Sequence, residues 1–176
     1  MKDSIKMNQK IQADSLVDDV KILLSKITSS SGKLTKKISL DDGKLFKTPA
    51  ANMISGNVET VETDLKALGD VMQALGHNQA IVHGTCGQDN ARIVAKKQFN
   101  GQPGAITRTK DFFSYPPGPA LVMIDYDPDD GQPVLSHADV AAAIDGVCPG
   151  FSGIQKLLTR SMSSCIYKDD GTELSG

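Results

Sequence analysis

Three prolines in the short stretch from Phe112 to Pro119 constrain the fold of this chain more than any other feature of its sequence. The stretch reads F-F-S-Y-P-P-G-P, and prolines at this density interrupt the hydrogen bonding of both helices and strands. We therefore expect a loop lined by aromatic side chains. The mainly apolar residues Ala120 to Tyr126 follow directly, and we predict that they form a buried strand with an acid near its end.

Two aspartates stand at the end of that predicted strand. Asp125 and Asp127 are two residues apart, and because side chains alternate across a strand, both would project from the same face. Two carboxylates this close at the end of an apolar run repel each other unless a cation neutralises them. Mg²⁺ or Mn²⁺ suits such oxygen ligands, which often share the ion with substrate phosphates. The pair therefore predicts a divalent-metal site for phosphate chemistry.

Two other interpretations of the same residues stay open. The segment D-P-D-D-G, residues 127 to 131, has the composition of a turn, in which the acids would simply be solvated. The stretch from Asp125 to Ser136 also places acids at its first, third and fifth positions, as a calcium-binding EF-hand loop does. Its sixth position is Asp130 rather than glycine, and its twelfth is Ser136 rather than glutamate, which disfavours calcium.

The composition is that of one ordinary globular domain, with 176 residues, 39% hydrophobic and 23% charged. A formal net charge of -2 gives the chain no general attraction to polyanions. No apolar run reaches 18 residues and the start lacks the apolar segment of a secretory signal, so we expect a cytoplasmic protein without a membrane partner. Three cysteines, an odd count without close pairing, predict reduced thiols.

Apolar spacing and turn residues predict the remaining helices and strands. Two helices and a capped third are expected, and the short apolar runs between them indicate strands. The predicted elements are an amphipathic helix from Leu16 to Ile27, a hairpin from Lys33 to Lys47 that turns at Asp41 to Lys44, a helix from Val58 to Leu75, a strand from Gln79 to His83, a helix or strand from Ala91 to Gln98, a helix capped by Ser136 that ends before Cys148, and strands at Leu157 to Thr159 and Cys165 to Tyr167.

Basic and hydroxyl side chains supply candidate binding surfaces. Arg160 precedes several serines, and guanidinium and hydroxyl donors suit phosphate oxygens, although a polar strand edge has the same residue types. Lysines also line the predicted hairpin, which would suit a nucleic-acid backbone or be only a solvated surface. These lysines are Lys36, Lys37, Lys44 and Lys47.

The stretch G-P-A-L-V-M-I-D-Y-D-P-D, from Gly118 to Asp129, resembles the first motif of the archaeo-eukaryotic primase superfamily, a hydrophobic strand followed by Asp, any residue, Asp. Primase-polymerases of phages and integrated mobile elements are similar in three further ways. A loop like F-F-S-Y-P-P-G-P leads into the strand, and the following helix ends in a turn like C-P-G-F. The segment from Thr159 to Tyr167 then matches an Arg-x-Ser-x-Ser pattern, with Met162 where a proline is more usual.

The resemblance implies an α+β fold, in which a mixed sheet with flanking helices forms part of an RRM-like primase-polymerase catalytic core. It implies that Asp125 and Asp127 are catalytic and hold Mg²⁺ or Mn²⁺. The implied activity is nucleotidyl transfer from nucleoside triphosphates on a DNA template, and a helicase domain further along the same chain is the implied partner. The residues implied to bind the nucleotide are Arg160, Ser161, Ser163 and Ser164.

The match is incomplete in one important respect. The family's second motif, a small residue and a histidine, and its third, another metal-binding acid, have no counterpart before Gly176. We therefore expect residues 33–176 to be the N-terminal part of a primase-polymerase-like domain, preceded by a helical or flexible extension over residues 1–32. Two alternatives stay open, namely a non-catalytic module that binds DNA or a replication partner, and a calcium-stabilised structural domain.

Overall fold

The computed structural model describes residues 12–13, 20–42, 44–48, 52–126, 132 and 135–159. Over these residues the architecture is α+β, with a mixed five-stranded sheet, two separate two-stranded sheets and two α-helices. The predicted α+β class and mixed sheet are therefore confirmed. Neither helix in this part of the chain has the length and hydrophobicity that crossing a bilayer requires.

The helices and strands follow one another along the chain in a mixed order. Two 3-10 turns, Lys96–Gln98 and Phe151–Gly153, accompany them. The strands and helices are β1 (Gln12–Ala13), β2 (Ile22–Ser29), β3 (Lys37–Asp41), β4 (Lys44–Thr48), β5 (Ser55–Thr63), α1 (Leu65–Gln73), β6 (Gln79–His83), β7 (Ala91–Val94), β8 (Ala105–Ile106), α2 (His137–Val147) and β9 (Leu157–Leu158).

The main sheet has the strand order β6-β2-β5-β7-β8. Strand β2 pairs antiparallel with both β5 and β6, whereas β7 and β8 are parallel. Both faces of β2 are buried, because Leu24 and Ile27 project to opposite sides and belong to different apolar clusters. The helix predicted from Leu16 to Ile27 is therefore wrong for residues 22–27. A strand buried on both faces places its apolar residues three and four apart, which imitates helical spacing.

Each face of the sheet is covered by a different part of the chain. On one face, Leu68 of α1 packs against Ile22 and Leu24, and we call these three buried residues the helix-side cluster. On the other face, a second cluster is covered by Phe112 and Phe113 of the proline-rich loop. The buried members of that second cluster are Ile27, Val58, Cys86, Ala91, Ile93 and Ile106.

The helix predicted from Val58 to Leu75 begins later than expected. Residues 58–63 belong to β5, and α1 starts only after Asp64, whose side chain accepts a hydrogen bond from the Ala67 N–H at 2.7 Å. The β-branched residues in V-E-T-V-E-T favour a strand, and all six residues of this stretch pair with β2, while Val58 also pairs with β7. The strand from Gln79 to His83 is confirmed as β6.

The hairpin prediction is confirmed. Strands β3 and β4 pair antiparallel, with Asp41 opposite Lys44 at the turn. Asp42 has a φ of 47°, the left-handed conformation that a two-residue hairpin turn requires. The segment from Ala91 to Gln98, expected to be helix or strand, forms β7 and then a 3-10 turn.

Strand β2 falls within the N-terminal extension expected for residues 1–32. Residues 22–29 of that extension thus form a strand of the main sheet rather than a helix, since β2 pairs with β5 along its whole length and with β6 from Leu24 to Thr28. The division of the chain at residue 32 itself stays a prediction. Cys86 and Cys148 are free thiols, and Cys165 lies outside the described residues.

Candidate metal-binding segment

The proline-rich loop that precedes the acidic segment is fixed to the end of β6. The Thr85 N–H donates to the Ser114 carbonyl at 2.9 Å, and the Ser114 N–H donates to the Thr85 carbonyl at 3.0 Å. Gly84 makes this approach possible, since its φ is 81° and an added Cβ would lie 2.7 Å from the Ser114 oxygen. No helix or strand runs through residues 112–119, so the predicted loop is confirmed.

Aromatic side chains hold the start of this loop. The rings of Phe99 and Phe112 meet edge to face with centroids 5.2 Å apart. Phe112 and Phe113 both pack against the second apolar cluster, whereas Tyr115 is exposed. The loop is therefore anchored at its beginning, and its later half extends into solvent.

The buried strand predicted from Ala120 to Tyr126 is wrong. The segment has no strand pairing, and Val122 and Met123 are 79% and 71% exposed. Leu121 alone packs inward, against the helix-side cluster. An extended apolar segment becomes a buried strand only where a neighbouring strand accepts its backbone hydrogen bonds, and none of the described strands pairs with it.

Asp125 is exposed to solvent on this segment. In the described part of the chain, ion pairs join Lys21 to Asp64 and Lys26 to Glu59, and no lysine or arginine there pairs with Asp125. Its carboxylate is thus open to a hard cation. Exposure also removes the argument that burial forces a cation onto the acids, because a solvated carboxylate is stable by itself. Asp127 lies outside the described residues.

The segment after the acids begins with a well-formed helix. Ser136 caps α2 in a reciprocal arrangement, in which its Oγ accepts from the Asp139 N–H at 3.2 Å and its N–H donates to the Asp139 carboxylate at 3.1 Å. Hydrogen bonds from the Ser136 hydroxyl and then from its N–H lower the pKa of Asp139. The predicted cap and the end of the helix before Cys148 are both confirmed.

The turn that follows α2 is held by polar contacts. Gly150 has a φ of 96°, and the Ser152 N–H donates to Asp145 Oδ1 at 2.8 Å, which lowers the pKa of Asp145. Lys156 Nζ donates to the carbonyls of Ser152 and Ile154, both at 2.9 Å. The same ammonium lies 5.1 Å from the centroid of the Phe151 ring. The C-P-G-F turn therefore directs the chain into β9.

Strand β9 pairs antiparallel with β1, which confirms the strand predicted at Leu157. Leu157 packs against the helix-side cluster, as Leu121 does. The structure thus anchors on one cluster both the segment that carries Asp125 and the segment that leads to Arg160. The residues expected to bind the nucleotide, Arg160, Ser161, Ser163 and Ser164, lie outside the described residues, as do the residues of the strand predicted at Cys165 to Tyr167.

Two features of the described chain could be missed from the sequence. The shared anchorage of Leu121 and Leu157 is a tertiary contact, for which the sequence carries no local signal. The exposed ring of Phe46 in the hairpin was also missed, although its place among lysines in K-L-F-K-T was a visible signal. Within the described ranges, no three His, Cys, Asp or Glu side chains converge as a metal site.

The chain was compared with protein-family models, curated proteins and solved structures. No protein-family model, no curated protein and no solved structure matches the chain.

Proposed function

We propose that this chain is the N-terminal part of a DNA primase-polymerase of a phage or mobile element, with an RRM-like catalytic core. Asp125 and Asp127 hold Mg²⁺ or Mn²⁺, and Arg160 with its neighbouring serines binds the nucleoside triphosphate. The observation that supports this proposal is the shared anchorage of Leu121 and Leu157 on the helix-side cluster. Because of this shared contact, the acidic segment and the arginine-serine segment both begin beside the helix-side cluster.

Chain geometry limits how far the two segments can diverge from this cluster. Asp125 is four residues from Leu121, and four residues of extended chain span at most about 14 Å. Arg160 is three residues from Leu157, which corresponds to at most about 11 Å. Each reach is long enough to span a nucleotide, so the two segments can meet on one. A carboxylate pair and a guanidinium can therefore act on one bound triphosphate.

Each residue has a definite task in this proposal. The Asp125 and Asp127 carboxylates offer oxygen ligands, and the Arg160 guanidinium donates paired hydrogen bonds to phosphate oxygens. A bound divalent ion would neutralise phosphate charge during the reaction. In that reaction a 3′-hydroxyl oxygen bonds to the α-phosphorus of the nucleotide, the bond to pyrophosphate breaks, and the hydroxyl proton passes to water.

The direct test is binding, because the family's histidine and third acid have no counterpart in this sequence. Mn²⁺ is titrated into the protein and followed by electron paramagnetic resonance, with and without ATP. We expect wild-type protein to bind Mn²⁺, and the double variant Asp125→Asn with Asp127→Asn to bind it at least about tenfold more weakly. Equal binding by the two proteins would remove the basis of the proposal.

A matched control separates a specific site from general acidity. The hairpin turn carries another exposed acidic pair, Asp41 and Asp42. The variant Asp41→Asn with Asp42→Asn removes the same charge, and asparagine tolerates the left-handed conformation at residue 42. We expect this control to bind Mn²⁺ as wild type does. A loss as large as that in the Asp125 and Asp127 variant would indicate nonspecific attraction only.

Nucleotide binding is tested separately with a fluorescent ATP analogue. Arg160→Ala should weaken analogue binding in the presence of Mn²⁺, because the guanidinium contacts are lost. Arg92→Ala is the control, since Arg92 is exposed on β7. Equal affinities of the two variants would contradict the role of Arg160.

The same preparations distinguish the alternative functions. A calcium-stabilised structural domain predicts that Ca²⁺ raises the melting temperature more than Mg²⁺ does. A non-catalytic nucleic-acid module predicts DNA binding that persists without the acid pair, together with no Mn²⁺ binding by wild type.

A further inference from the structure

The β3–β4 hairpin forms a sheet of its own. No other described strand pairs with either of its strands. Its register assigns the side chains to two faces, because residues opposite each other in an antiparallel pair lie on the same side. One face, which we call the Phe46 face, carries Lys37, Ser39, Asp41, Lys44, Phe46 and Thr48; the other carries Ile38, Leu40, Leu45 and Lys47.

Phe46 is 51% exposed at the middle of its face. Ser39 lies directly opposite, and its side chain is too small to cover an aromatic ring. The remaining apolar residues of the hairpin are on the other face. The ring of Phe46 is thus presented to solvent, where a large apolar side chain gains nothing in the isolated protein.

Exposed lysines lie on both sides of this ring. Lys44 is two residues before Phe46 on the same strand, and Lys37 pairs with Thr48, which is two residues after it. Each lysine is therefore displaced from the ring by roughly 7 Å along the ladder. The Phe46 face presents Lys44, the aromatic ring and Lys37 in sequence, with Asp41 opposite Lys44.

The charge of the hairpin is opposite in sign to that of the chain. The hairpin, residues 37–48, contains three lysines and two aspartates, a net charge of +1, whereas the whole chain has a net charge of -2. The local positive charge complements a polyanion, which the chain as a whole does not attract. An exposed aromatic ring among these lysines adds a stacking surface, which a phosphate group alone would not use.

We infer that the Phe46 face of the hairpin binds single-stranded nucleic acid. Phe46 stacks on a base, and Lys37 and Lys44 bind the flanking phosphates. Single strands fit better than a duplex because the base faces of a duplex are already stacked on one another. The inference deepens the proposed function and rests on it, because the strand that the hairpin binds would be the template. Its residues are separate from the acid pair, so the two can be tested independently.

The experiment measures fluorescence anisotropy of labelled oligo(dT) and oligo(rU) in buffer with EDTA, so that metal binding plays no part. We expect wild-type protein to bind at least one of the two oligomers, and the Asp125→Asn with Asp127→Asn variant to bind equally well. Phe46→Ala should lower affinity by about tenfold or more. Phe46→Trp should retain binding, whereas Phe46→Leu should lose it, because leucine has a similar apolar character without a π-face.

Salt dependence separates stacking from phosphate contacts. The variant Lys37→Gln with Lys44→Gln should reduce the slope of log affinity against log salt concentration by about 1.4, since each phosphate contact on a single strand contributes about 0.7. Phe46→Ala should leave the slope unchanged. The matched controls are Lys96→Gln with Lys97→Gln, an exposed pair outside the hairpin, and Ile54→Ala, an exposed apolar residue. Both should bind as wild type does.

Three outcomes would overturn the inference. One is binding by Phe46→Leu that equals wild type. Another is equal affinity for inorganic polyphosphate, duplex DNA and the single strands, which would indicate charge attraction alone. The third is binding to anionic vesicles in the absence of oligonucleotide binding. Wild-type protein that binds the oligonucleotides but does not bind Mn²⁺ would instead contradict only the metal site. Circular dichroism confirms that each variant is folded, as substitutions on this exposed face should leave the sheet intact.

Discussion

Lys21 Nζ lies 2.8 Å from Asp64 Oδ2, and this ion pair joins the residue before β2 to the N-cap of α1. The other oxygen of the same carboxylate accepts from the Ala67 N–H at 2.7 Å. The hydrogen bond from Lys21, followed by that from Ala67, lowers the pKa of Asp64 below its ordinary value of 3.8. One side chain thus connects an interior strand of the sheet with the helix that covers it.

This connection predicts an acid-sensitive contribution to stability. The pKa of Asp64 is lower in the folded protein than in the unfolded chain, so the unfolded state binds more protons as the pH falls below about 4. Stability is then lost as the pH falls. Asp64→Asn keeps a good N-cap but removes the charge, and its melting temperature should change less than that of wild type between pH 5 and pH 3. Asp89→Asn, at an exposed aspartate, should follow wild type; parallel curves for all three proteins would contradict the prediction.

The cap of α2 predicts a local rather than a global effect. Ser136→Ala removes the hydroxyl that accepts from the Asp139 N–H, at a cost of about 1 kcal/mol. Because α2 buries no residue, its opening does not require the core to unfold. Amide exchange over residues 137–147 should become about fivefold faster, with exchange in β2 unchanged. Equal acceleration in both elements, measured by mass spectrometry, would show that α2 unfolds only with the core.

The contact between Gly84 and Ser114 predicts that a single methyl group displaces the proline-rich loop. Gly84→Ala adds a Cβ against a backbone carbonyl at a φ of 81°. Gly87→Ala is the matched control, because Gly87 has a φ of 67° but nothing within 4 Å of the added Cβ. Both variants bear the cost of a left-handed alanine, about 1–3 kcal/mol, so the additional loss in Gly84→Ala reports the contact. Urea denaturation measures the difference in the free energy of unfolding. Equal losses in the two variants would show that the loop moves away from the added methyl group at no cost.

The exposure of the apolar segment predicts a contrast between two truncations. Leu24 is 1% exposed, and Leu24→Ala should lower the free energy of unfolding by about 2–5 kcal/mol. Val122 is mostly exposed, and Val122→Ala should change it by less than about 0.5 kcal/mol. A loss above about 2 kcal/mol for Val122→Ala would mean that this residue is covered in solution, as the predicted strand requires.

Elements with local signals could be predicted from the sequence. The hairpin has turn residues at Asp41 to Lys44, and α2 has a serine cap with an acid three residues later, so both patterns specify a structure by themselves. Strand β2 could not be predicted, because a strand covered on both faces and an amphipathic helix share the spacing of Leu24 and Ile27. The prediction of a strand from Ala120 to Tyr126 was wrong for a related reason. A strand forms only beside a strand that pairs with it, and an apolar pattern does not indicate whether such a strand exists.

The sequence predicts the residue types of the candidate site but not their arrangement in the fold. The two-residue spacing of the carboxylates indicates a metal ligand set, and the exposure of Asp125 is compatible with it. The contact of Leu121 and Leu157 with one cluster joins distant parts of the chain and follows from tertiary packing. Hydrophobic periodicity describes one segment at a time, so it cannot reveal which distant segments pack against the same apolar cluster.

The position of β2 between two later strands has a consequence for synthesis of the protein. Leu24 pairs with Val61 on one side and with His83 on the other, and both partners leave the ribosome after it. Until then I-L-L-S-K-I-T-S is a nascent strand with two open edges, which favour pairing with another chain. A translation product that stops before β6 should therefore accumulate as aggregate, because only the synthesis of β6 supplies the second partner that closes the open edge of β2.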